Sequence, residues 1–410
     1  MEKLAINGGE PVRTKPWPTW PIISEKTKES VSKVLDRELT GFRASKGPGF
    51  DGGPEVRALE SLVAGHHGVK YAVSFTSCTA ALHGAIVACG VRPLDEVIVS
   101  PYTFNSSATA PLMHNAIPVF ADVTEHNFCL DPRRVLEQVT SRTKAIIVVH
   151  LFGGAADMAE LVDIADRRGL MLIEDCAQAP GATYHRQLVG TIGDCGVFSF
   201  VAEKNVSSGE GGMLITNNPE IARIAKLVRN HGDALYEPVL GYNYRMTEYQ
   251  AALARLHWLE LDVSNRIRRE LAEGLAEGLS ELGFLDVPRP REGDRHSYYV
   301  FPILYDESKI GIPRDRFVEA VKAEGIPLGA GYIRPLSTIP LFTEYAHFAW
   351  DMATRKPPYG FGLCPVAEHL WRERMIITQA TRPPNTVNDM VDVVRAFRKV
   401  AEHASELTGS

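Results

Sequence analysis

The chain has 410 residues, enough for two or three domains, and its 45% hydrophobic content supports a substantial core rather than a disordered polymer. Its 44 Lys and Arg against 50 Asp and Glu leave a net charge of −6, which argues against a surface built to coat nucleic acid. No apolar run reaches the ~18 residues of a membrane span, the start lacks a secretory pattern, and the six cysteines contain no C-x-x-C pair. The expectation is a soluble cytoplasmic protein with reduced thiols, no bound metal and no membrane or nucleic-acid partner.

Residues 1–22 read as an extended N-terminal arm. Pro16, Pro18 and Pro21 interleave with Trp17 and Trp20, a pattern expected to lie along another surface, that of a partner subunit. The adjacent His66 and His67 have no acidic partner nearby and read as solvent-exposed turn residues, not as a metal pair. From residue 70 to 216, β-rich runs are predicted at 72–75, 96–100, 118–123, 145–150, 171–175, 196–200 and 212–216. Several are almost wholly apolar, as strands covered on both faces should be. Helical patterns alternate with them; one is predicted to be capped by Asp157 and stopped by Gly169. That alternation predicts an α/β domain around an open, mostly parallel seven-stranded sheet, with ligands bound beyond the carboxyl ends of its strands.

Past residue 245 the texture changes. Thr247-Glu248-Tyr249-Gln250 forms a capping-box pattern that opens a helix predicted to run to about residue 282. A strand over 297–304, a helix over 314–324 and a last helix after Pro383-Pro384, capped by Thr386 and Asp389, complete the chain. The division expected is an arm at 1–22, a large domain at 23–255 and a smaller α+β domain at 256–410.

Three predicted strand ends carry side chains with chemical potential. Ser77, Cys78 and Thr79 precede an Ala-rich helix, where free amides and the positive helix end suit a phosphate; simple helix capping fits them as well. Asp175 ends an apolar strand, either as a turn cap or as a carboxylate kept ionised by a facing cation. Lys204 follows another apolar strand and precedes a Gly/Ser loop, either as a solvated surface lysine or as an amine primed for Schiff-base chemistry. An anion cup, a carboxylate and an imine-forming lysine, in that order, are what pyridoxal 5′-phosphate requires.

The chain resembles the DegT/DnrJ/StrS family of pyridoxal-phosphate-dependent sugar aminotransferases over nearly its whole length. The resemblance rests on Ser77-Cys78-Thr79-Ala80-Ala81-Leu82-His83, Pro101-Tyr102-Thr103-Phe104 and Glu174-Asp175-Cys176-Ala177-Gln178-Ala179. It rests further on Phe198-Ser199-Phe200 with Lys204 and Gly209-Glu210-Gly211-Gly212, and on Gly241-Tyr242-Asn243-Tyr244-Arg245. The arm is similar to the branch that aminates keto-cyclitols of the scyllo-inosose type or makes aminohydroxybenzoate.

The resemblance implies the type I fold of aspartate aminotransferase-like enzymes, and ping-pong transfer of an amino group from glutamine or glutamate to a keto-sugar or keto-cyclitol, as in amino-sugar and antibiotic biosynthesis. It assigns Lys204 as the Schiff-base lysine and Asp175 as partner of the ring nitrogen. Gln178 is placed at the ring hydroxyl, Phe104 on the ring face, and Ser77, Cys78, Thr79 and Ser199 at the phosphate. Asn243 is expected to reach the neighbouring subunit's phosphate, which implies a homodimer with shared sites. His296 with Tyr298, and Tyr332 with Arg334, fall where such proteins often meet substrate. One departure stands out: Glu203 precedes the lysine where a small or neutral residue is usual.

Four alternatives carry distinct signatures. The acceptor could be a nucleotide-linked keto-hexose. A sugar dehydratase would replace the lysine by histidine. A nicotinamide-dependent oxidoreductase would want G-x-G-x-x-G where this chain has Thr76-Ser77-Cys78-Thr79. A non-catalytic relative would have lost its cofactor residues.

Overall fold

The structure is a computed structural model and describes residues 3–37, 39–43, 47, 49–232 and 237–407. Its main sheet is built from β1 (Tyr71–Phe75), β2 (Glu96–Val99), β3 (Ile117–Phe120), β4 (Thr143–Val149) and β5 (Met171–Asp175). A small hairpin, β6 (Thr183–Tyr184) and β7 (Gln187–Leu188), intervenes before β8 (Cys195–Ser199) and β9 (Gly212–Thr216) close it. The order is β1-β9-β8-β5-β4-β2-β3. Only β9 pairs antiparallel with its neighbours, so the other six strands run the same way. The carboxyl ends of β1, β5 and β8 therefore open on one edge, where β9 begins. Four of the seven strands (β2, β3, β8 and β9) are buried at every position, as a sheet covered on both faces requires.

A second, antiparallel sheet has the order β10-β11-β13-β12, from β10 (Leu285–Asp286), β11 (Phe301–Tyr305), β12 (Gly329–Ala330) and β13 (Met375–Thr378). Its core is shared with helices Leu261–Ser280, Arg314–Ala323 and Val387–Glu402. Residues 336–371 return to the main sheet's core through Phe342, Trp350 and Leu370. Tyr359 Oη donates to Pro118 O at 2.6 Å, and Asp122 accepts from the amides of Val366 and Ala367.

Local sequence signals account for most element ends. Thr247 with Gln250, and Thr386 with Asp389, form capping boxes, and Gly169 ends its helix at φ 63°. Four expectations need correction. The long helix predicted from 248 breaks at Glu260, whose amide bonds back to His257 O three residues earlier, giving Glu248–Leu259 and Leu261–Ser280. The strand predicted from 297 starts only at Phe301, because Tyr298 adopts φ 43° and turns the chain. Asp157 occupies the N-cap position but makes no capping bond; its carboxylate accepts from Asn127 Nδ2 and pairs with Arg291 and His126. His66 and His67 lie inside helix Pro54–His67, and His67 is buried against Phe198 and Trp258.

The arm makes contacts with its own chain. Trp17 docks on its own chain, donating from Nε1 to Gly325 O at 2.8 Å beneath the Arg13 guanidinium, 4.0 Å from the ring centre. Arg13 in turn bonds Asp389 and Asp392 at 2.7 and 2.9 Å. These contacts tie the arm to the second core of its own chain.

Candidate active site

Each side chain that sequence places at a strand end owes its position to the strand's alternation. Along β5, Glu174 points to one side and Asp175 to the other. Glu174 is sealed in, accepting from the amides of Gly190, Ile192 and Gly193 and pairing with His150 Nε2 at 2.9 Å. This tie clamps the 190–193 loop beside β5. Asp175 is thereby left at the sheet edge, 5% exposed, with Oδ1 accepting from Ala177 N and Oδ2 from the Ser107 hydroxyl at 2.7 Å.

At the end of β1, Ser77 caps helix Cys78–Ala88, its Oγ accepting from Ala80 N at 3.1 Å. Capping and an anion seat thus coexist: the amides of Cys78 and Thr79 have no acceptor among the described residues and line the cavity. The approach is tight, since a Cβ on Gly212 would lie 2.5 Å from Cys78 N and from Ser77 O. Glycine is what lets β9 start against this turn. Thr76 N donates to Tyr244 O, tying the 241–245 segment to the same corner.

Lys204 enters from the loop after β8 and is 9% exposed. Its Nζ has no hydrogen-bond partner among the described residues and lies 3.9 Å from the centre of the Tyr299 ring. Burial pulls the amine down to about 8, while the negative charges of Asp175 and Glu203 act to hold it up. The Trp20 indole donates to Lys204 O at 3.1 Å, anchoring the loop from behind. Burial pushes the neighbouring Cys78 thiol well above its ordinary range, so it stays protonated.

One cavity of about 310 Å³ is lined by Ser77, Cys78, Thr79, Phe104, Asp175, Gln178, Ser199 and Lys204. Eight of the nine residues singled out in the sequence therefore meet at one place. Phe104 stands at the mouth, 58% exposed. Gln178 accepts from Phe152 N and donates to Tyr332 Oη, both at 2.9 Å, which leaves one amide hydrogen for a ligand. The ninth, Asn243, is exposed and outside this cavity, its Oδ1 accepting from Arg245 Nε.

Four lining or anchoring residues escaped sequence reading. Ser107 and Tyr299 carried no motif of their own, and Trp20 was read as an arm residue. Tyr332 was flagged only as a substrate position, whereas it bonds Gln178. Of the other flagged residues, Arg334 bonds Thr338 and packs over Phe361, while His296 faces a separate small cavity beside Arg291.

The residues fit pyridoxal phosphate by their own chemistry. Open helix-end amides suit a phosphate, a donor-held carboxylate suits a pyridinium N–H, and a buried amine of lowered basicity suits an aldehyde. With the open α/β sheet behind them, they define the class of pyridoxal-phosphate-dependent enzymes of the type I fold. The profile of the DegT/DnrJ/EryC1/StrS aminotransferase family matches residues 39–356. L-glutamine:2-deoxy-scyllo-inosose aminotransferase of Streptoalloteichus tenebrarius is 36% identical, covering 98% of this chain and 99% of the relative. Among solved structures, DesI with its TDP-sugar product is 29% identical with a TM-score of 0.84, covering 99% of this chain and 98% of its own. 3-Amino-5-hydroxybenzoic acid synthase is 25% identical with a TM-score of 0.82, covering 95% of this chain and all of its own. The chain belongs to the DegT/DnrJ/EryC1/StrS aminotransferase family and is a pyridoxal-phosphate-dependent transaminase. Among the described residues no helix is long and apolar enough to cross a membrane.

Proposed function

We propose that this transaminase takes the amino group of glutamine and delivers it to a free keto-cyclitol in aminocyclitol biosynthesis, working in the cytoplasm as a homodimer. The observation that carries the transamination reading is the convergence of Lys204, Asp175 and the open helix end on one cavity. The choice of donor and acceptor draws on the relatives named for glutamine and 2-deoxy-scyllo-inosose, 36% and 35% identical over almost the full chain. Glutamate as donor remains within the same chemistry.

Bound pyridoxal phosphate would supply an aldehyde that condenses with amines and a protonated ring that accepts electrons. The amides of Cys78 and Thr79, with Ser77 and Ser199, would hold the phosphate, and Asp175, which accepts from Ser107, would hold the proton at the ring nitrogen. Phe104 would lie against the ring, and Gln178, bonded to Tyr332, would serve the ring hydroxyl. Lys204 Nζ would be the amine that anchors the cofactor and, when free, the base positioned to take the proton from the donor Cα and to return one to the acceptor carbon. An amine with pKa near 8 accepts and gives up a proton readily at neutral pH. Asn243, exposed and outside its own cavity, would serve the neighbouring subunit's phosphate in that homodimer. The arm 1–22, large domain 23–255 and small domain 256–410 remain the working division.

A second reading, a nucleotide-linked keto-hexose as acceptor, draws on the likeness to DesI, solved with a TDP-sugar product. Assay of the holoenzyme with glutamine and a panel of keto-cyclitols and nucleotide-linked keto-sugars, followed by mass spectrometry of the amine product, separates the two. Amination of the keto-cyclitols supports the first reading; amination of only the nucleotide-linked sugars overturns it.

A further inference from the structure

Glu203 is a cavity carboxylate that the transamination steps leave unused. It immediately precedes Lys204, is exposed, and lines the cavity next to Tyr299 and Tyr332. Among the described residues its carboxylate makes no hydrogen bond or ion pair. The charged groups around it are unevenly distributed. Among the described residues, Asp175, Glu203 and Glu210 line the cavity against the one ammonium of Lys204, and no arginine or histidine lines it. Arg382, from the second sheet's side, is half-buried, donates to Gln379, and feels the charge of Glu203 without forming an ion pair with it among the described residues.

Asp175 and Lys204 are both committed to the cofactor. The carboxylates left for the acceptor are Glu203 and Glu210. A carboxylate beside a reactive amine, with free lone pairs and no partner, matches the paired hydroxyl donors of a polyol. The same group opposes a phosphate or diphosphate brought to the same wall, and like charges in a partly desolvated pocket discriminate by repulsion.

We propose that Glu203 is a specificity-determining residue, accepting hydrogen bonds from the hydroxyls of a neutral polyol acceptor and excluding acceptors that carry phosphate groups. The inference rests on the reading of the cavity as a transaminase site for a free keto-cyclitol, and names how that choice is made.

The test uses holoenzyme carrying Glu203→Gln, which removes the charge at constant shape, and Glu203→Asp, which keeps it. Two quantities are measured: the dissociation constant of thymidine diphosphate by calorimetry, and the ratio of kcat/KM for a neutral keto-cyclitol over a nucleotide-linked keto-sugar. Glu203→Gln is expected to tighten thymidine diphosphate and to shift the ratio toward the nucleotide-linked sugar, each by at least threefold. Glu203→Asp keeps the wild-type order, and the cofactor's absorption is unchanged in both. A smaller shift in either quantity with intact cofactor absorption overturns the proposal while leaving the acceptor reading in place. A wild-type enzyme that aminates only nucleotide-linked sugars overturns both.

Discussion

Lys204 Nζ lies 3.9 Å from the centre of the Tyr299 ring, so a residue just before β11 caps the amine supplied by the loop after β8. The negative ring face favours the ammonium, and burial opposes it more strongly. If Lys204 captures the cofactor as proposed, the value of about 8 sets the pH dependence of that capture, because only the neutral amine attacks an aldehyde. Stopped-flow absorbance should show the rate of capture rising with pH through a midpoint near 8. Asp175→Asn removes an anion that holds the amine up, so its midpoint should move lower. A wild-type midpoint near 10.5 contradicts the burial argument.

The same lowered value makes a stability prediction. The unfolded chain binds a proton at Lys204 up to about pH 10.5, whereas the folded apoprotein releases it near 8, so this residue's contribution to stability rises with pH between those values. Below pH 8 the full penalty of a buried ammonium applies, on the order of 3 kcal/mol. Lys204→Met apoprotein should therefore be more stable than wild type in urea at pH 7, with the gap closing toward pH 10.

Ser107 was invisible in the sequence, yet its hydroxyl is the only side-chain donor to Asp175 among the described residues. Ser107→Ala leaves Oδ2 buried without that partner, at a cost of about 1–3 kcal/mol. Lower thermal stability of the apoprotein and weaker cofactor retention on dialysis are expected. Ser107→Thr, which keeps the hydroxyl, should recover both in part.

Trp20 bonds the backbone carbonyl of the lysine itself. Trp20→Phe keeps the ring over Arg268 but removes the indole donor, so a loss of about 1 kcal/mol is expected, with faster loss of cofactor. Unchanged cofactor dissociation would mean the arm does not steady the Lys204 loop.

Much of this was legible before coordinates. The apolar runs located all seven strands of the main sheet, and the edge rule pointed to Asp175, which ends β5, and to Lys204, in the loop that leaves β8. What sequence could not give were contacts across distance: Ser107 reaches Asp175 from a helix 68 residues away, and Tyr299 covers Lys204 from just before the second sheet's β11. The arm's contacts within its own chain escape the sequence for a similar reason. Its tryptophans signal a docking segment, but the Gly325 carbonyl and the Asp389 and Asp392 carboxylates that receive it lie over 300 residues away.

Covalent trapping tests the central claim most directly. Apoprotein is mixed with pyridoxal phosphate, reduced with borohydride and digested, and the pyridoxyl-bearing peptide is located by mass spectrometry. The label should fall on Lys204, with an absorption band before reduction that Lys204→Ala abolishes. A label on another lysine, or a protein that remains colourless with saturating pyridoxal phosphate, contradicts the account.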